Sequence, residues 1–297
     1  MVNISNLQTE QQNPHTRNID RMSLHEILTA MNEEDRKCTE AVAEALPAIE
    51  EAVSRCAAAV KRGGRIVYAG AGTSGRIGLM DAVECLPTFS SEQVTAIMAG
   101  GEQAFVKAAE GAEDSKMDAK KQLELLGFGR NDILVGISAS GRTPYVIGAL
   151  IAARETGADT VSVSCNKNAE MSSFADVAIE VDAGAEILAG STRLKSGTCQ
   201  KMILNMISTA SMILNGKVYD NLMVDLKATN EKLAERSVGI VMKAAGVSRK
   251  EAETALQNTE GSCKEAITML KLHIPAADAR SRLEKAEGFI YRAVNEV

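Results

Sequence analysis

Five short apolar runs of strand type, at 66–69, 94–98, 133–138, 160–165 and 177–181, are separated by stretches with helical spacing. Strands alternating with helices of this length connect by right-handed crossovers and give a parallel sheet covered on both faces. Ligands of such sheets sit beyond the carboxyl ends of the strands. Three segments then share one rim: the glycine and hydroxyl turn 70–75, the pair Gly100-Gly101, and the hydroxyl-rich stretch 138–143.

The first run opens the segment 65–87, RIVYAGAGTSGRIGLMDAVECLP. It reads as a strand, a turn over 70–75, and a helix resuming at Arg76 and terminated by Pro87. Unpaired amides at such a helix start, with the helix dipole, form a site for a phosphate or another anion. Gly70, Gly72 and Gly75 formally match the dinucleotide fingerprint GxGxxG, but a dinucleotide site also wants an acid near the end of the second strand. Here that strand runs into Ala99-Gly100-Gly101, and Glu102 follows only after both glycines. Thr73 and Ser74 also stand where a dinucleotide loop needs mainly bare backbone. The third strand ends in Ser138-Ala139-Ser140-Gly141-Arg142-Thr143, again just before a helix. Serines and threonines at such places cap helices in most proteins; two hydroxyl loops on one rim suit a single phosphomonoester.

Glu84 lies on the helix rooted in the first turn, beside Cys85. An isolated glutamate is usually a plain solvated charge, yet its place suggests that anion turn and acid serve one substrate. A second acid is Glu113, with Glu110 and Asp114 as rivals that spacing alone does not separate. Two carboxyls in different surroundings can act as acid and base. Arg193 and Lys195 are either solvated charges or partners for a carboxylate or phosphate.

The remaining features exclude other classes. Net charge is −6 over 297 residues with no long one-signed run, so a nucleic-acid partner is not expected. The apolar-leaning stretch 202–214 is broken by Asn205, Ser208, Thr209 and Ser211 and is too short to span a membrane. Residues 1–21 are polar and lack the apolar core of a signal peptide, which points to the cytoplasm. Six cysteines without a CxxC pair read as reduced, buried thiols, and three scattered histidines offer no metal site.

Residues 1–22 read as an extended arm broken at Asn13-Pro14. Ser23 and Glu26 have capping-box spacing, a second helix start is expected at Asn32, and Pro47 should kink or break the helical stretch that ends at Gly63-Gly64. After Gly197 a helix runs to about Leu214 and is stopped by Asn215-Gly216. Beyond 229 the strand signal disappears: Gly246 breaks a helix, Ser248/Glu251 and Ser262/Glu265 repeat the capping-box spacing, and Pro275 opens a last amphipathic helix.

The phrases GAGTSGR, DAVECLPTF, AGGEQAF, EGAEDS, GISASGRTPYV, GSTRLKSGTCQKMILNMIST and NLMVDLKATNEKL, in this order, closely resemble the N-acetylmuramic acid 6-phosphate etherase family. The resemblance runs from 18–20 nearly to the C-terminus. It implies a three-layer α/β/α sugar isomerase (SIS) domain with a five-stranded parallel sheet, followed by a small all-helical domain in which 247–270 is similar to a ubiquitin-associated fold. The implied organisation is an N-terminal arm and helices over 1–45, a catalytic domain over 46–228 and a helical domain over 229–297. Glu84 then matches the family's proton donor and Glu113 its second catalytic carboxylate. Gly72, Thr73, Ser74, Ser138, Ser140, Gly141 and Thr143 would hold the 6-phosphate of a sugar-phosphate substrate; Arg193 and Lys195 are candidates for further substrate contacts on their charge alone. A homodimer with sites near the interface and no cofactor are implied as well. Val83 departs from the family's usual serine beside the acid, and Gln11-Gln12 stand where arginines are frequent. Similar SIS domains also occur in sugar-phosphate-sensing regulators and in aldose-ketose isomerases.

Overall fold

The computed structural model describes residues 7–107, 109, 111–226 and 230–296. Glu110, one of the three rival acids, and the expected domain boundary at 228/229 lie outside them. The chain forms two compact units, one holding the residues up to Val83 with Gln93–Ser208, the other Glu84–Glu92 with Thr209–Val297.

In chain order the elements of the first unit are α1 (Leu24–Glu44), α2 (Leu46–Lys61), β1 (Ile66–Gly70), the part up to Val83 of α3 (Gly72–Phe89), β2 (Val94–Met98), α4 (Gln103–Val106), α5 (Lys116–Leu125), β3 (Ile133–Ser138), α6 (Pro144–Glu155), β4 (Asp159–Ser164), β5 (Val177–Glu180) and the start of α7 (Lys195–Leu214). The five strands are all parallel in the order β2-β1-β3-β4-β5. Every residue of β1 and β3 is buried, as a sheet covered on both faces requires. On one face Val67, Ala69 and Leu134 pack with Tyr145, Val146 and Leu150 of α6 and with Ala119 and Leu123 of α5. On the other, the Tyr68 hydroxyl donates to Asp81 of α3 at 2.9 Å, and the same carboxylate accepts from Asn205 (2.6 Å) and Ser208 (3.1 Å) of α7. Burial pushes the Asp81 carboxyl up despite these three donors.

The N-terminal arm differs from its expected extended form. It makes three 3-10 turns, Gln8–Glu10, Pro14–Thr16 and Ile19–Arg21, fastened by Asn13 Nδ2 to the Ala185 carbonyl (3.1 Å) and Thr16 Oγ1 to that of Ile187 (2.8 Å). No second helix starts at Asn32: α1 runs unbroken from the Ser23–Glu26 capping box because its buried face, Cys38, Ala41 and Val42, continues the same stripe. Pro47 breaks the helical stretch as expected, standing in the first turn of α2, where its missing N–H would be unpaired anyway. The β4–β5 connection holds only a 3-10 turn, Glu170–Phe174.

Two boundaries of α3 also differ from the sequence reading. The helix begins at Gly72 rather than Arg76, so Thr73 and Ser74 belong to its first turn. It also passes through Pro87 to Phe89. Proline there removes only the bond to the carbonyl four residues back, and Ser90 N still donates to the Leu86 carbonyl at 2.9 Å. The early start depends on the glycines. A Cβ on Gly75 would lie 2.7 Å from the Gly70 oxygen and 2.8 Å from Met98 Cγ, so only bare backbone lets the first helical turn touch the strand end. Gly72 takes a left-handed φ of +53° with open space around it, a conformation that disfavours a side chain for its own sake.

The second unit is helical beyond a Tyr219–Leu222 bridge: α8 (Glu231–Ala245), α9 (Arg249–Asn258), α10 (Cys263–Leu272), α11 (Ala276–Lys285) and α12 (Ile290–Asn295). Ile240, Val241, Ala252, Ala266, Ile267 and Ile290 belong to its core. Gly246 ends α8 with φ +70°. Ser248–Glu251 forms a full capping box, whereas at Ser262 only the serine caps, because Glu265 is taken by Arg280 at 3.1 Å. The expected single last helix is two, divided where Glu287 and Gly288 adopt positive φ and Gly288 N closes onto the Leu283 carbonyl (2.7 Å). All six cysteines are free and buried, as expected, and burial pushes the Cys165 thiol up to about 12.

Gly75→Ala is expected to lower the unfolding free energy by about 1–3 kcal/mol through overpacking. Urea denaturation of the two proteins measures it, and an unchanged value would show that the contact with β1 is slack.

Candidate active site

Two hydroxyl groups of residues stand at the carboxyl ends of β1 and β3. In the first turn of α3, Thr73 is half-buried and Ser74 buried. The turn's amides lack partners inside the helix and gather the positive end of its dipole. After β3, Ser138 Oγ lies 2.7 Å from Thr143 Oγ1 and 3.3 Å from Ser140 Oγ, and accepts from Gly141 N at 3.1 Å. Thr143 occupies the N-cap position of α6 without capping it. Its hydroxyl turns to Ser138 instead, which sets aside plain helix capping as its role. Gly141 has φ +71°, and a Cβ there would collide with that of Ala169. Ser138, Ser140, Gly141 and Thr143 are thus brought together as one small cluster.

Beside the start of α3 lies a pocket of about 180 Å³ whose lining includes Gly72, Arg76, Met98, Ala99 and Glu113. Arg76 is held by the carbonyls of Ala104 (2.7 Å) and Phe105 (2.9 Å), which pins α4 beside α3. Glu113 sits on a 3-10 turn, Ala112–Asp114, with an exposed side chain. Asp114 shares the turn and is exposed as well, but Glu113 is the one that lines the pocket.

Glu84 is exposed on α3, and its carbonyl accepts from the Thr88 hydroxyl at 2.8 Å. Arg193 is exposed ahead of α7. Lys195 is buried to 1 % exposure. Its ammonium donates to Glu34 Oε2 (2.7 Å) and to the Ala185 carbonyl (3.0 Å), so a substrate contact would require breaking this pair. Burial opposes ionisation of Glu34, but hydrogen bonds from Lys195, Lys37 and Asn13 outweigh it and hold the carboxyl at about 2. Glu186, also buried, closes the start of α7. Its two oxygens accept from the Lys195 and Ser196 amides, each at 2.9 Å, which pairs orphan donors and places negative charge at the positive end of the dipole.

Sequence reasoning passed over Arg76, Glu34, Glu186 and Gln200. Gln200 Oε1 accepts from Ser74 Oγ at 3.0 Å. Only Glu186 had a local signal, an acid shortly before a helix. Among the described residues no group of three or more His, Cys, Asp or Glu could hold a metal ion, and no helix is long and apolar enough to cross a membrane.

The five-stranded parallel sheet with hydroxyl loops at its carboxyl edge belongs to a SIS domain, as the family signature shows. The SIS domain signature matches 109–210, that of the glucokinase regulatory protein N-terminal SIS domain matches 48–154, and that of the C-terminal lid domain of glucokinase regulatory protein matches 220–287. The fold is shared with a phosphoheptose isomerase from Francisella tularensis, at TM-score 0.52 and 19% identity over 65% of this chain and all of that one. The chain is 52% identical over 293 residues to an N-acetylmuramic acid 6-phosphate etherase of Geobacillus thermodenitrificans, covering 98% of this chain and 99% of that protein. It is 50% identical over 295 residues to that of Shouchella clausii, covering 99% and 100%. The chain therefore belongs to the N-acetylmuramic acid 6-phosphate etherase family.

Lys195→Met should lower the unfolding free energy at pH 7 by about 1.5–3 kcal/mol, the size of a hydrogen bond to a charged group, because Glu34 keeps its bond from Lys37 at 2.6 Å. Because the Glu34 pKa is depressed, its contribution is present above the ordinary value of 4.5 and is lost as pH falls toward 2. The gap between wild type and variant should therefore narrow over that window in a pH series of denaturation curves. A gap below about 1 kcal/mol at pH 7 would count against the pair.

Proposed function

We propose that this chain cleaves the D-lactyl ether of N-acetylmuramic acid 6-phosphate, giving N-acetylglucosamine 6-phosphate and D-lactate as a carbon-oxygen lyase. The reading is carried by half-identical relatives of that name along the full length, together with the presence of both Glu84 and Glu113. Thr73, Ser74, Ser138, Ser140 and Thr143, with the backbone at Gly72 and Gly141, take the 6-phosphate. Arg193, exposed and cationic, is a further substrate contact, and Lys195 joins it only if its pair with Glu34 opens.

Ring opening exposes an aldehyde at C1, which acidifies the hydrogen at C2. Glu113 removes that proton, the C3–O bond breaks, and Glu84 protonates the departing lactate oxygen. Water then adds across the unsaturated aldehyde, hydroxyl to C3 and proton to C2, so that atoms balance with no electron transferred. Two carboxyls with opposite starting protonation suffice, and we assign no cofactor or metal. We take residues 46–228 as the catalytic domain and place the enzyme in the cytoplasm as a homodimer with sites near the interface. Exposed Met80 and Val83, neighbours on α3, are the kind of apolar surface a second copy covers.

The matches to glucokinase regulatory protein domains favour a second reading, a sugar-phosphate-sensing regulator that binds without turnover. Incubation with N-acetylmuramic acid 6-phosphate in heavy water separates the two. Lactate release with deuterium at C2 of the product is expected, and binding without lactate would leave the regulator. Glu84→Gln and Glu113→Gln should each reduce turnover about 10²-fold or more while substrate still binds. A near-normal rate in either variant would remove that carboxyl from the mechanism.

A further inference from the structure

Gln200 is fully buried on α7, beside the first turn of α3. Its side-chain oxygen takes the hydroxyl proton of Ser74, and its amide nitrogen, equally buried, has no hydrogen-bond partner. The two first turns are in close approach here: a Cβ on Gly197, one turn before Gln200, would lie 3.6 Å from Thr73 Cγ2. A buried amide donor left unbonded is uncommon in a folded protein and calls for an explanation.

We propose that Gln200 is a positioning residue that sets which way the Ser74 hydroxyl proton points, and through it the anion affinity of the α3 first turn. This rests on the reading above that Ser74 contacts the substrate phosphate. A serine hydroxyl has one proton and two lone pairs. While that proton is given to Gln200, Ser74 offers an arriving phosphate only lone pairs, which repel it. A half-turn of the amide exchanges oxygen for nitrogen at nearly the same position. The nitrogen then donates to Ser74 Oγ, and the serine proton is released toward the phosphate, where it makes a charge-assisted hydrogen bond. Either orientation leaves one amide atom unbonded; the empty protein keeps the serine proton on Gln200, and a bound anion, as the new acceptor for that proton, favours the other orientation. No other side chain has to move.

The test is a double-mutant cycle in steady-state kinetics with the sugar phosphate. Gln200→Met, close in shape but apolar, should raise KM about tenfold with kcat unchanged, the mark of lost binding shared by ground and transition states. Gln200→Glu, which only accepts and adds negative charge, should raise KM about a hundredfold. In a Ser74→Ala background Gln200→Met should add no further increase, because its effect passes through the serine. An unchanged KM in Gln200→Met, or full additivity with Ser74→Ala, overturns the proposal. Should Gln200→Met fail to fold, the same cycle run with Gln200→Leu decides it. An unchanged KM in Ser74→Ala alone would instead overturn the phosphate reading itself.

Discussion

The contact on which the rest of the structure depends is the one between the end of β1 and the first turn of α3, where Gly70 and Gly75 meet backbone to backbone. It turns the chain from strand to helix across a single intervening residue, so the helix start is held at the sheet edge by a rigid element. From that point α3 carries Ser74 toward Gln200, Arg76 toward the carbonyls that pin α4, and Asp81 toward Tyr68 and α7. A side chain at either glycine would push the helix start away from the strand, and each of these contacts would shift with it.

A second set of constraints is electrostatic. The start of α7 is fixed by two buried carboxylates with separate tasks: Glu186 occupies the orphan amides, and Glu34 neutralises the Lys195 ammonium. Buried charges of this kind add little net stability compared with well-packed apolar groups, but losing one partner is severe. Their effect here is to fix where α7 begins, and hence where Gln200, further along the same helix, meets Ser74.

The sheet was legible because its evidence is local: five apolar runs, two hydroxyl turns, and glycines at the turns. The departures arise where a residue's usual preference gives way to its surroundings. Gly72 to Gly75 read as a turn because glycine disfavours helix, yet close approach to β1 demands it inside one. Pro87 read as a terminator, but a proline this near a helix end removes just one bond. Asn32 read as a new start because a polar residue there resembles a cap, while the buried stripe of α1 carries the helix through. The partners that matter most, Glu34 with Lys195 and Ser74 with Gln200, are separated by 161 and 126 positions, and no short-range pattern records them. The acids divide the same way. The acids Glu113 and Asp114 were visible in the sequence as rivals, but that Glu113 rather than Asp114 lines a pocket follows from the fold of the turn that carries them.

The six thiols have a use beyond packing. All are shielded, and burial raises the Cys165 thiol far above neutral pH, so an alkylating reagent meets little thiolate until the chain around it opens. Cys38, Cys56, Cys165 and Cys199 belong to the first compact unit, Cys85 and Cys263 to the second. The cysteines thus form a built-in set of clocks, and the order in which they react reports which unit of the native protein loosens first.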